Sequence, residues 1–126
     1  MKNMKFEFQK IALASVLATF LFVSCEDKKV EPLTYDCTTV TPTYTADVKT
    51  IIDTNCATSG CHNSSSRADG RDYSTYSLVK RGASDNSFMG SMQHLSGYKS
   101  MPQGRSKLSD AQIQTISCWI QNGSPE

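Results

Sequence analysis

The sequence lacks several features that would narrow its function quickly. It has no excess of charge of one sign: 13 Lys and Arg face 12 Asp and Glu over 126 residues. That balance argues against the basic face that nucleic-acid binding uses. No internal repeat is present, which excludes a solenoid or propeller array. No convincing run of alternating apolar and polar residues marks a half-buried strand. Histidine occurs only at His62 and His94, and tryptophan only at Trp119. The longest apolar run, residues 11–23, falls short of the roughly 20 residues that span a bilayer.

That run does have a recognisable setting. Lys2, Lys5 and Lys10 precede it, and Phe22-Val23-Ser24-Cys25 closes it. A basic head, a short apolar stretch and a small residue before the cut describe a secretory signal over residues 1–24. Val23-Ser24-Cys25 resembles the lipobox of bacterial lipoproteins, with Phe22 a less usual residue at its position. The resemblance implies a diacylglycerol on Cys25, a membrane anchor, and a place in the periplasm or outer cell envelope. An ordinary cleaved signal or an uncleaved anchor are the alternatives. Cleavage removes three lysines and one glutamate, leaving ten basic and eleven acidic residues, a formal charge of −1. Residues 25–44 are charged, then rich in Thr and Pro, with Pro32 and Pro42. They read as a tether with little helix or core.

Helical patterning begins after the tether. Val48, Ile51 and Ile52 share one face, with Thr45 as the expected cap and Asp47 in the first turn, and this helix runs to about Asn55. Ser74 is the expected cap of a short helix through Tyr76, Leu78 and Val79 that stops at Gly82. Phe88, Met89 and Met92 mark another helical turn or two before Gly97. The last helix has a capping box, Ser109 and Gln112, flanked by Leu108 and Ile113 as a hydrophobic staple. Ile113, Ile116 and Ile120 form its expected buried stripe, with Trp119 beside it, and Gly123 and Pro125 end it.

The first helix delivers Cys56-Ala57-Thr58-Ser59-Gly60-Cys61-His62. Two cysteines followed at once by a histidine, in an exported chain, suit covalent haem attachment. Each thiol can add to one vinyl group of the porphyrin, and the adjacent imidazole can then ligate the iron. The usual spacing is C-x-x-C-H; here the gap is two residues longer, and Gly60 with the small Ala57, Thr58 and Ser59 suits a loop that bulges. A second anchor, Ser100-Met101-Pro102-Gln103-Gly104, precedes the last helix. On these residues, residues 45–126 resemble a class I mono-haem c-type cytochrome.

The resemblance implies a small all-α cytochrome c-like fold, three to four helices around one covalent haem c. Cys56 and Cys61 would carry the thioethers, with His62 and Met101 as axial ligands. It also implies terminal helices that cross, although Val48 and Ile52 stand where many members have a glycine and an aromatic. No proline soon after His62 supplies the family's usual haem-facing turn. A backbone carbonyl between Asn63 and Asp72 is the candidate acceptor for the second imidazole nitrogen. With Cys25 assigned to lipid and two cysteines to haem, Cys37 and Cys118 remain, and in an oxidising compartment a disulfide between them is expected. A domain this small buries little surface, so the haem would supply much of the core.

Other roles exist for each residue. Cys56, Cys61 and His62 could hold zinc if Cys37, Cys118 or His94 completed a tetrahedron. Cys56 and Cys61 could instead form a local disulfide. Met101 could be core filler, and His94 a rival sixth ligand or a solvated side chain. Met89 and Met92 read as packing, and Trp119 as core. Lys99, Arg105 and Lys107 flank the Met101 segment; docking of acidic partners, pairing with propionates, and simple solvation are all open to them.

The expected function is one-electron transfer to and from redox partner proteins by a monomeric carrier, not an enzyme. The alternative is a haem enzyme or gas sensor, peroxidase-like, with a displaceable sixth ligand. A third class is a structural or binding lipoprotein whose haem is incidental.

Overall fold

Thr43 is where extended chain turns into helix. Its hydroxyl accepts from the Ala46 amide (3.3 Å), and Asp47 reaches back to accept from the Thr43 amide (2.8 Å). The computed structural model describes residues 32–126; the signal segment and Cys25 lie outside the described residues. Thr45, the cap expected from the sequence, falls inside the first turn, because Asp47 closes the reciprocal pair with Thr43. A π-helical turn, Tyr44–Val48, runs straight into α1, Lys49–Asn55. Val48 and Ile52 are fully buried on its inner face, while Lys49 and Asp53 pair on the exposed one.

Helix α2 spans Tyr76–Ala83 and α3 spans Asn86–Met92. Ser74 does not cap α2 as expected. Its amide donates to Asp72 Oδ1 (2.9 Å), and the extended Thr75 precedes the helix without a side-chain cap. Nor does α2 stop at Gly82; that glycine lies within the helix, facing Tyr73. Asp85 caps α3 by accepting from the Ser87 amide (2.8 Å).

Helix α4, Asp110–Gln121, opens with the capping box between Ser109 and Gln112. Leu108 and Ile113, the two staple positions, are both buried. The helix ends in a Schellman arrangement: the Ser124 amide donates to Trp119 O (2.8 Å) and the Gly123 amide to Ile120 O (3.0 Å). The buried stripe is Ile113, Ile116 and Trp119, with Ile120 only half-buried. The indole displaces Ile120 from the expected stripe because it is drawn toward Tyr44, centroid to centroid 6.0 Å, and toward Pro125 O, which accepts its N–H at 2.7 Å. The same carbonyl accepts the Tyr44 amide (3.0 Å), so one acceptor fastens the chain end to both terminal helical segments.

Among the described residues the protein is all-α, with four α-helices and no strand. Residues 32–43 form no helix, but they lie against the domain. The Gln93 side chain is buried and holds Leu33 by both backbone groups, each at 3.2 Å. Asn122 Nδ2 donates to Val40 O (3.0 Å), and Pro42 is buried. Cys37 and Cys118 lie at disulfide distance, with Cα atoms 5.2 Å apart.

Candidate functional site

Cys56 sits at the C-cap of α1, its amide still bonded to Ile52 O (2.8 Å). The chain then folds back on itself. Cys61 N donates to Thr58 O (3.0 Å), and His62 N donates to Cys56 O (3.0 Å), closing a loop that contains both cysteines. The two residues in excess of the usual spacing are absorbed by this turn, where Gly60 takes φ +78°. Gly60 N is held by Ser66 Oγ (2.8 Å). The loop is sewn to the next segment by Ala68 N to Cys61 O (2.9 Å) and Tyr73 N to His62 O (2.7 Å).

Cys56, Cys61, His62 and Met101 all line one cavity of about 340 Å³. That volume falls within the roughly 300–1,000 Å³ of pockets that take cofactor-sized ligands. Tyr73, Phe88, Met92 and Leu108, all buried, also line it. The cavity is therefore mainly apolar, with two thiols, an imidazole and a thioether on its surface. Cys56 is half-buried and Cys61 exposed; neither is bonded to the other, so no local disulfide forms between them. Burial pushes the Cys56 thiol up to about 11, helped by the nearby Cys61 and opposed by Arg105.

His62 is buried, with its ring 5.0 Å from Tyr73 and tilted against it. Tyr73 in turn meets Phe88 edge-on at 5.5 Å. The Nδ1 atom of His62 is buried without a hydrogen-bond partner. The expected acceptor, a carbonyl between Asn63 and Asp72, does not reach it. Four of those carbonyls serve local turns instead: Asn63 O takes Arg67 N, Ser64 O takes Arg67 Nε, Arg67 O takes Gly70 N, and Ala68 O takes Arg71 N. A buried polar atom without a partner is uncommon in folded proteins, which sets this imidazole apart.

His94 behaves differently from both roles considered for it. Its ring does not line the cavity; Nε2 lies 3.0 Å from Met101 O. It is neither a ligand candidate nor a free solvated side chain. Met101 N donates to Ser91 O (3.0 Å), so the methionine backbone rests on the end of α3. Among the cations, Lys99 and Arg105 line the cavity and make no ion pair among the described residues. Lys107 is instead engaged with Asp110 (3.3 Å). Arg71, also at the cavity, pairs with Asp85 (3.3 Å).

The donor set suits covalent haem better than zinc. Among the described residues no group of three or more His, Cys, Asp or Glu side chains converges to hold a metal ion. The residue types a c-type haem uses differ: two thiols, a nitrogen and a sulfur ligand from separate segments, and apolar neighbours. Residues of each of these types line one cavity. Tyr73 and the Gln93 clamp on Leu33 were not foreseen from the sequence. Tyr73 stands alone among polar residues, outside any periodic pattern, and Gln93 acts on a segment 60 residues away.

Compared with protein-family models, with curated proteins and with solved structures, the chain matches none.

Proposed function

We propose that this protein is a one-electron carrier of the c-type cytochrome kind, holding one haem c. The observation that carries the reading is the meeting of Cys56, Cys61, His62 and Met101, drawn from segments 39 residues apart, at one mainly apolar cavity. A haem c bound there supplies a one-electron ferric–ferrous couple. Cys56 and Cys61 would hold it through thioether bonds, and His62 and Met101 would ligate its iron. A thioether ligand favours the reduced state and raises the potential. Tyr73, Phe88, Met92 and Leu108 give the cavity apolar lining against which a porphyrin could pack. Lys99 and Arg105, at the cavity and without an ion pair among the described residues, are the side chains best placed to receive anionic groups.

A carrier fits better than an open-site enzyme or sensor. The latter requires a displaceable ligand and a distal acid–base group. His94, the one histidine besides His62, is bonded to a backbone carbonyl instead of facing the cavity. We place the mature chain on a membrane of the cell envelope through lipid on Cys25, where it exchanges electrons with partner proteins.

The test is the visible spectrum and pyridine haemochrome of the full chain, purified from a host that matures c-type cytochromes. One haem per chain, resistant to acid–organic extraction, is expected, and the reduced protein should refuse carbon monoxide. A colourless protein overturns the haem assignment; ready carbon monoxide binding favours the enzyme or sensor.

A further inference from the structure

We propose that His94 is a positioning residue that sets where the Met101 sulfur stands in the cavity. The inference rests on the electron-carrier reading and deepens it. A carbonyl only accepts, so the 3.0 Å contact between His94 Nε2 and Met101 O means that Nε2 carries the proton. The Met101 amide is held as well, donating to Ser91 O at 3.0 Å. Ser91 O also receives the backbone amide of His94 (3.2 Å). Both polar groups of the Met101 backbone are thus gripped by the same few residues at the end of α3.

The rest of the segment offers little else to hold it. Between Met101 and the cap of α4 at Ser109, the one further backbone hydrogen bond among the described residues is Arg105 N to Pro102 O (3.3 Å). Methionine is unbranched and has three rotatable side-chain bonds. Its sulfur reaches a defined point only if the backbone from which it starts is fixed. His94 holds φ +56°, a left-handed conformation at the residue whose ring meets the Met101 carbonyl, and one that Asn, Asp and His adopt more readily than other non-glycine residues.

The experiment compares wild type with H94N, H94Q, H94F and S109A, as haem-loaded full-length chains. H94N tolerates the left-handed backbone but its amide is too short to reach the carbonyl. H94Q keeps a donor near the Nε2 position, and H94F removes the donor while keeping a ring. S109A lowers stability at the α4 cap, away from the Met101 segment. The readouts are amide exchange at Met101, midpoint potential, and carbon monoxide binding by the reduced protein.

We expect Met101 amide exchange to rise roughly tenfold in H94N, the scale of one lost hydrogen bond. The potential should fall and carbon monoxide binding should appear, with H94F behaving alike, H94Q returning toward wild type and S109A unchanged. Should H94F fail to fold, H94N against H94Q decides. Wild-type exchange and potential in H94N overturn the inference and leave the carrier reading standing. The same changes in S109A also overturn it, since general loss of stability would then suffice. A wild-type chain without haem overturns both.

Discussion

Gly82 and Tyr73 approach so closely that a Cβ on Gly82 would stand 2.5 Å from Cε1 of the tyrosine ring. The ring cannot easily give way. It is buried, with His62 on one side at 5.0 Å and Phe88 on another at 5.5 Å. A glycine inside α2 therefore buys the position of the aromatic that faces His62.

Gly82→Ala should destabilise the protein although alanine is the better helix former. The propensity gain is about 1 kcal/mol, and overpacking a buried site costs about 1–3 kcal/mol. We expect a net loss of up to about 2 kcal/mol on that difference, read as a lower urea midpoint. A gain in stability would mean that Tyr73 moves aside freely.

The Cys37–Cys118 pair closes 81 residues of sequence. In the chain-entropy picture a loop of this length contributes on the order of 4 kcal/mol. Cys118 is fully buried in α4, whereas Cys37 belongs to a segment otherwise held mainly by side-chain bonds from Gln93 and Asn122. Cys37→Ser should lower the thermal midpoint and expose the backbone near Leu33 to amide exchange before the helices open. Mass spectrometry after alkylation without reductant should find neither thiol labelled in the native wild type.

The thiol of Cys56 gives a pH prediction for the haem-free chain. Folding raises it from the ordinary 9.0 to about 11, chiefly by burial. The folded state thus holds its proton where the unfolded state has lost it. The stabilisation is fully present below pH 9 and disappears as pH rises toward 11. Alkylation at pH 8 should label the exposed Cys61 well ahead of Cys56, with Cys56 labelling accelerating only in strongly alkaline solution. In a Cys61→Ser chain the slow reaction of Cys56 should persist, because burial is the larger cause.

The helices were largely legible in the sequence because their signals are local. Ser109 with Gln112 fixes the start of α4, and the Val48–Ile52 spacing fixes the buried face of the first helix. Caps were harder to read where several hydroxyls compete: Thr43 prevails over Thr45 through Asp47, while α2 begins after Thr75 with no side-chain cap from either Thr75 or Ser74. The site was legible as residue types, Cys56, Cys61, His62 and Met101, whose separation gives no indication of what lies between them. Tyr73, the unpartnered Nδ1 of His62 and the bond from His94 to Met101 depend on tertiary placement. No spacing in the sequence encodes them.

Met101→Ala separates the ligand role of the side chain from the backbone contacts around it. Alanine keeps the amide bonded to Ser91 and the carbonyl bonded to His94, so the segment should hold its course. Only the thioether is withdrawn. Under the carrier reading the two cysteine bonds and His62 remain, so one haem per chain should still be found. The potential should fall, because the ligand that favoured the reduced iron is gone. Carbon monoxide, refused by the reduced wild type, should bind in a stoichiometric amount. If Met101 were only cavity filler, the variant would lose stability, by about 2–5 kcal/mol for a buried methionine and less for this half-buried one. Its potential and its response to carbon monoxide would then match the wild type, which separates a ligand from a packing residue in one pair of measurements.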